Sequence, residues 1–362
     1  MKISIKARLV AGGMLLAAVA GTVYGVKTVA AEPRKELFEI KTWTRKDCSL
    51  APWLVTDKLG YFADEGIKLV YTGETQGPLQ IPSIVKGNND VGSGHANQYG
   101  AAIAGGAPLI AVVRGGIEPA PGYDPRFRHM WWFVNPGKTL GIKTFADLKK
   151  MPGKIKISTL NKGTCTELLN QKISERYGIP RDKFEWVTMP DIQAIQALKQ
   201  GLIHVSAVHP PFYKGMQDAG ALKIADSSEA GLGSSAGLSF YWFRKDFVQK
   251  YPKEVAGFVR AIKKGQRWAN AHPEQAAKWT EEAIGVPVTG NHYYAEDATI
   301  VEKDLEPWIK FLEDNRIAPK GKITAASIVT HQFENYGNDD KVYQQRLKKK
   351  KSSTRKDKVA SF

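Results

Sequence analysis

The 362 residues suffice for two ordinary domains, and a content of 43% hydrophobic and 24% charged residues excludes a disordered or fibrous chain. The formal charge of +16 sits mostly at the ends: residues 1–31 carry Lys2, Lys6, Arg8 and Lys27 without an acid, and residues 341–362 carry nine Lys/Arg against Asp357. The body between them is only mildly basic, so no nucleic-acid partner is expected.

At the amino end, Lys2, Lys6 and Arg8 precede the apolar stretch Leu9 to Val26, and Val29-Ala30-Ala31 then offers small side chains before Glu32-Pro33. This is the pattern of a secretory signal peptide over residues 1–31, cut after Ala31. The same stretch approaches the roughly 20 residues that span a bilayer, so a retained membrane anchor is the alternative. No second run reaches that length. Cys48 and Cys165 are too few for a stapled fold, and their local contexts make no metal pattern; independent thiols, no metal and no cofactor are expected.

Along the mature chain, short β-prone runs alternate with helical periodicity. Residues 38–43 alternate like a strand, 52–59 read as a helix with Pro52 in its first turn, and 68–71 as a second strand. A helix over 80–86 and a turn at 87–90 lead to a short strand at Val91, which ends in the Gly92-Ser93-Gly94-His95 loop; 109–113 gives a fourth strand. The pattern resumes at 130–134, 154–159 and 184–188, with a helix opened by Gly163-Thr164-Cys165-Thr166 and another over 191–200, then a strand over 203–208. Residues 238–243 form a strong strand candidate. Helices are expected at 251–270, 273–282, 301–315 and 325–333. The Lys-rich residues 341–362 carry no packing face and are expected to be disordered. Strands alternating with helices at this spacing indicate an α/β sheet protein.

Four segments resemble the nitrate/sulfonate/taurine-type periplasmic solute-binding proteins, a group that also includes pyrimidine-precursor binding proteins. They are Pro52 to Ile67 with its Gly60-Tyr61-Phe62, Ile84 to Gly92, Ala194 to Gly201, and Tyr251-Pro252 through to Asn270-Ala271-His272-Pro273-Glu274. The family's common acidic residue after the helix-ending Gly is missing at Ile203-His204-Val205. The resemblance implies a two-lobed, hinged periplasmic binding protein fold (type II) with a central cleft. Lobe 1 would hold residues 36–133 plus 239–340, and lobe 2 residues 134–238.

Open α/β sheets bind ligands beyond the carboxyl ends of their strands, where helix amino termini present free N–H groups. Under the implied architecture the ligand candidates fall in four turns: Trp43, Arg45 and Ser49; Glu74, Thr75 and Gln76; Ser93, His95 and Asn97; Asn161, Thr164 and Thr166. His209, beside Pro210-Pro211, is a fifth point. Each has a plainer reading: Ser49, Thr164 and Thr166 as helix caps, Trp43 as core, His95 as loop support, and Arg45, like Arg114, as a solvated cation. Met130-Trp131-Trp132-Phe133 reads as a buried crossover strand before a cleft wall. The resemblance implies capture of a small oxyanion or organosulfonate in the periplasm and its delivery to an ABC transporter permease. Alternatives are an aromatic carboxylate or pyrimidine-like solute, a solute-presenting sensor, and a pyrimidine-synthesis-like enzyme. The last lacks a Cys-rich region, a metal spacing or a nucleophilic triad in the sequence, so no catalysis is expected.

Overall fold

The computed structural model describes residues 36–338 and 344. The expectations for residues 1–31, and for 341–362 apart from Gln344, lie outside the described residues. Among the described residues, no helix is long and apolar enough to cross a membrane.

The strands Phe38–Thr44 and Ile67–Glu74 pair in parallel. Their alternation buries Ile40, Ile67 and Leu69 and leaves Glu39 and Lys68 outside, 2.9 Å apart. Next to them, Ser239–Arg244 is the middle strand of a three-stranded sheet, antiparallel to both Val91–His95 and Leu109–Arg114. The long helix Pro252–Ala271 covers this region through Val255, Phe258, Val259 and Ile262, spaced as one helical stripe. Val91–His95 is a Gly-rich strand for a packing reason. A side chain at Gly92 would collide with the Trp43 indole and the end of Ile84, so only Gly lets the strand lie against that core.

The other large sheet has five strands in the order Leu222–Asp226, Trp131–Val134, Val205–Val208, Ile155–Thr159, Phe184–Thr188. Its first two pairings are antiparallel and the last two parallel. Both faces are covered, so Trp131-Trp132-Phe133-Val134 is apolar throughout. Trp131 and Phe133 pack with Leu198 and Phe212 on one side, while Trp132 and Val134 join Ile157 and Leu168 on the other. The aromatic run is therefore sheet interior. The whole is a two-lobed α/β architecture of the periplasmic binding protein type.

Several elements depart from the sequence expectation: Gly92 to His95, expected as a loop, completes the strand Val91–His95, and the helix expected over 325–333 is only the single turn Ala325–Ile328. Helix Ala96–Ala104 follows its strand directly, where a loop was expected to continue to Asn97. Leu222–Asp226 adds an edge strand. The helix expected over 301–315 is a 3-10 turn, Glu302–Leu305, followed by helix Glu306–Asp314, with Pro307 in the first turn where its missing N–H goes unused.

Candidate functional site

A cavity of about 80 Å3 lies where strand ends from both sheets meet. From the first sheets come Asp47, Cys48 and Ser49 after the first strand, Ser93 and His95 at the end of the third, and Ser239 and Tyr241 of the middle strand. The five-stranded sheet supplies Leu160 and Asn161, then Thr164 and Cys165 where helix Cys165–Tyr177 opens, and His209 after Val205–Val208. His129 precedes Trp131–Val134, and His292 and Tyr294 arrive with the short strand Tyr293–Tyr294. A second hollow of about 550 Å3 shares Gln98 and Asn161 with this cavity. Between the two walls, the Asn97 side-chain amide donates to the Gly163 carbonyl.

Four imidazoles and two thiols thus share one cavity. His95 stacks on the Trp308 indole, with centroids 4.9 Å apart and planes 6° apart, and its Nδ1 lies 2.7 Å from the Leu238 carbonyl. That contact requires Nδ1–H to donate, so Nε2 is the ring nitrogen left outside that bond. His129 and His292 meet Nδ1 to Nδ1 at 3.0 Å. Burial, then neighbouring imidazoles, hold both well below the ordinary imidazole range, so both are neutral. The His129 main chain is anchored by the buried Glu118 carboxylate, which also accepts from Arg128 at 3.1 Å and Ser227 at 2.7 Å. The Nε2 atom of His129 is buried without a partner.

Cys165, His209 and Asp191 form a line: Sγ lies 3.5 Å from His209 Nε2, and His209 Nδ1 is 2.5 Å from the Asp191 carboxylate. Burial opposes charge on His209, but Cys48 and Asp191 outweigh it and raise the imidazole well above its ordinary value. Burial likewise pushes the Cys165 thiol up, yet His95 and His209 overcome it and bring the thiol down to about 6. Its place as the first residue of a 13-residue helix favours the thiolate further. Cys48, half-buried at the wall, goes the other way, to about 11, because desolvation prevails. Both cysteines are free.

Of the residues expected from sequence, Ser49, Ser93, His95, Asn161, Thr164 and His209 line this cavity. The Ser49 hydroxyl already donates to Asp47 at 2.6 Å, so it offers the cavity only lone pairs. The Asn161 Oδ1 is buried without a partner, its amide lying against Gly77. Trp43 is core, and Arg45 is packed behind the wall, its guanidinium 4.4 Å from the Trp43 ring and 3.9 Å from that of Trp53, donating to the Trp43 carbonyl and to Thr42. Arg114 pairs with Asp297 at 2.6 Å. Glu74 is exposed and pairs with Lys46, and Thr75 and Gln76 do not line the cavity, although helix Gly77–Val85, which they lead into, brings Gln80 to it. Asn97 lines the second hollow, and Thr166 is fully buried with no partner for its hydroxyl.

Local spacing hid the rest of the cluster. His129 and His292 are 163 positions apart and neither follows a strand into a helix, so no motif marks them. Cys165 lies in the Gly163-Thr164-Cys165-Thr166 turn, but its histidine partners are distant in sequence. In three dimensions one ring nitrogen each of His95 and His129 and the sulfur of Cys165 all lie within 4.8 Å of one another.

Solved structures share this architecture. The alkanesulfonate-binding protein SsuA from Xanthomonas axonopodis pv. citri, bound to MOPS, matches with a TM-score of 0.63 at 16% identity, covering 83% of this chain and 99% of that one. The periplasmic nitrate-binding protein NrtA from Synechocystis PCC 6803 gives 0.65 at 14% identity, covering 84% and 89%. The desulfurization enzyme DSZB gives 0.58 at 13%, covering 83% and 99%. Such low identities establish the fold alone, and that fold serves both binding proteins and an enzyme. No curated protein matches the sequence. Residues 48–276 match the family described as NMT1/THI5 like, more than half of the chain. The chain therefore belongs to the NMT1/THI5-like family.

Proposed function

We propose that the protein is the exported solute-binding component of an ABC importer, which closes two lobes over a small oxyanion or organosulfonate and presents it to a membrane permease. The observation that carries this reading is one cavity walled by strand ends of both sheets and bridged by Asn97 and Gly163. The proposed lobes are residues 36–133 plus 239–340 and residues 134–238, with Trp131–Val134 joining the second lobe's sheet. Imidazoles, hydroxyl groups and the amino end of helix Cys165–Tyr177 suit an anion. The binding of alkanesulfonate and nitrate by similarly folded proteins, and the signal-like leader, support uptake from the periplasm.

The test is a thermal-shift and native mass spectrometry screen of nitrate, bicarbonate, sulfate, taurine, alkane and aromatic sulfonates, aromatic carboxylates and pyrimidine precursors. A true ligand compacts the protein in solution scattering. Gln98→Ala and Asn161→Ala, one from each wall, each weaken it by about 0.5–1.5 kcal/mol with the fold intact. Tight binding without compaction and without either effect rejects the closure reading.

The line from Asp191 through His209 to Cys165 favours a second reading, covalent chemistry at an activated thiolate. Mass spectrometry separates the two, because a solute carrier returns its ligand unchanged and an enzyme does not.

A further inference from the structure

The geometry points to a transition-metal site of the zinc–copper class in this cavity, held by His95, His129 and Cys165 with a fourth position open to water or solute. The inference rests on the cavity being the solute site, and it names the chemistry of that site. The three donor atoms lie within 4.8 Å of one another. Bond lengths of about 2.0–2.3 Å place the ligands of a tetrahedral ion about 3.3–3.7 Å apart, so small side-chain rotations close the set.

Each donor is prepared by its surroundings. The Leu238 carbonyl fixes the His95 proton on Nδ1 and frees Nε2 for a metal. Donation from His129 Nδ1 to His292 Nδ1 does the same for His129, whose Nε2 is buried and otherwise has no partner. The opposite direction of that bond would bury an N–H with no acceptor. Cys165 begins a helix and faces His209, which is itself oriented by Asp191; together they stabilise a thiolate and leave His209 outside the ligand set. Two imidazoles and a thiolate select zinc or copper over magnesium or calcium, which require oxygen ligands. Three protein ligands with one position open also give an anionic solute something to bind, where the cavity wall supplies no arginine or lysine among the described residues.

The experiment uses the full chain, stripped with a chelator in reducing buffer and titrated by calorimetry with zinc, copper(I) and magnesium, each alone. Zinc or copper(I) is expected to bind one to one and magnesium not at all. Cobalt(II), as a reporter, gives a thiolate-to-metal charge-transfer band that Cys165→Ser abolishes. His129→Gln lowers zinc affinity by on the order of a hundredfold. His331→Gln, at an exposed pair with Glu302 and Glu334, leaves it unchanged. Circular dichroism checks each fold, and zinc protection of Cys165 from alkylation reads the same contact without any substitution. No stoichiometric binding of zinc or copper(I), or binding that survives both cavity substitutions as an adventitious ion only, overturns the metal site. If no metal binds but a sulfonate compacts the protein, the metal inference falls and the receptor reading stands. If zinc binds through these three residues and no solute compacts the lobes, the metal site stands and the closure reading falls.

Discussion

Cys165 and Cys48 face one cavity with opposite acid–base behaviour. For Cys165, His95 and His209 overcome burial and set the thiol near 6, whereas burial leaves Cys48 near 11. In metal-free protein, alkylation followed by peptide mass spectrometry should therefore modify Cys165 with a half-maximal rate near pH 6, with Cys48 scarcely touched at neutral pH. Asp191→Asn removes a cause that raises His209, so the imidazolium weakens as partner of the thiolate and the Cys165 profile should move to higher pH. Stability follows the same groups. The Cys165 value is depressed, so its contribution is full above the unfolded value of 9.0 and lost as pH falls through about 6. The His209 value is raised, so its contribution is full below 6.5 and lost as pH rises through the folded value. Below pH 6.5 the His209 contribution is already full while the Cys165 contribution is still being lost, so urea unfolding should show stability falling as the pH drops from 6.5 through about 6. Asp191→Asn should cost about 3 kcal/mol, as expected when one partner of a buried pair is removed.

Where helix Leu50–Lys58 crosses the long helix Pro252–Ala271, Gly265 lies against Thr56 so closely that an added Cβ would overlap the Thr56 hydroxyl. Gly265→Ala should destabilise by about 1–3 kcal/mol in urea unfolding, and adding Thr56→Ala should recover part of that loss by removing the obstructing oxygen. Equal stability of the single and double variants would show that the overlap is not the cause. Most elements were legible because their signals are local: alternation in Phe38–Thr44, a continuous apolar run in Trp131–Val134, one apolar stripe in Pro252–Ala271. Helix Ala96–Ala104 was not, since Ala and Gly around Asn97 and Tyr99 give no clear stripe. The candidate site divides in the same way. His95, Asn161 and His209 stood at strand ends and were found, whereas His129 and His292 reach the cavity only through strand pairings that sequence spacing does not encode. Arg45 misled for a related reason. A cation near a strand end resembles an anion anchor, but Trp43 and Trp53 enclose its guanidinium.

At the scale of the molecule, Asn97 and Gly163 join opposite sides of the cavity. Asn97→Ala should favour opening, seen as a larger radius of gyration of ligand-free protein in solution scattering; an unchanged radius would show that this bond does not hold the walls together. The middle strand Ser239–Arg244 also has a consequence for the order in which the chain is made. Its two neighbours, Val91–His95 and Leu109–Arg114, are synthesised before it, and all five strands of the other sheet lie between. A chain emerging amino end first from a ribosome or an export channel presents those two strands with unpaired edges until residue 244 has followed. That sheet begins before the five-stranded one and is completed after it. A chain cut before residue 239 keeps those edges open, and aggregation, rather than a stable half-molecule, is its expected fate.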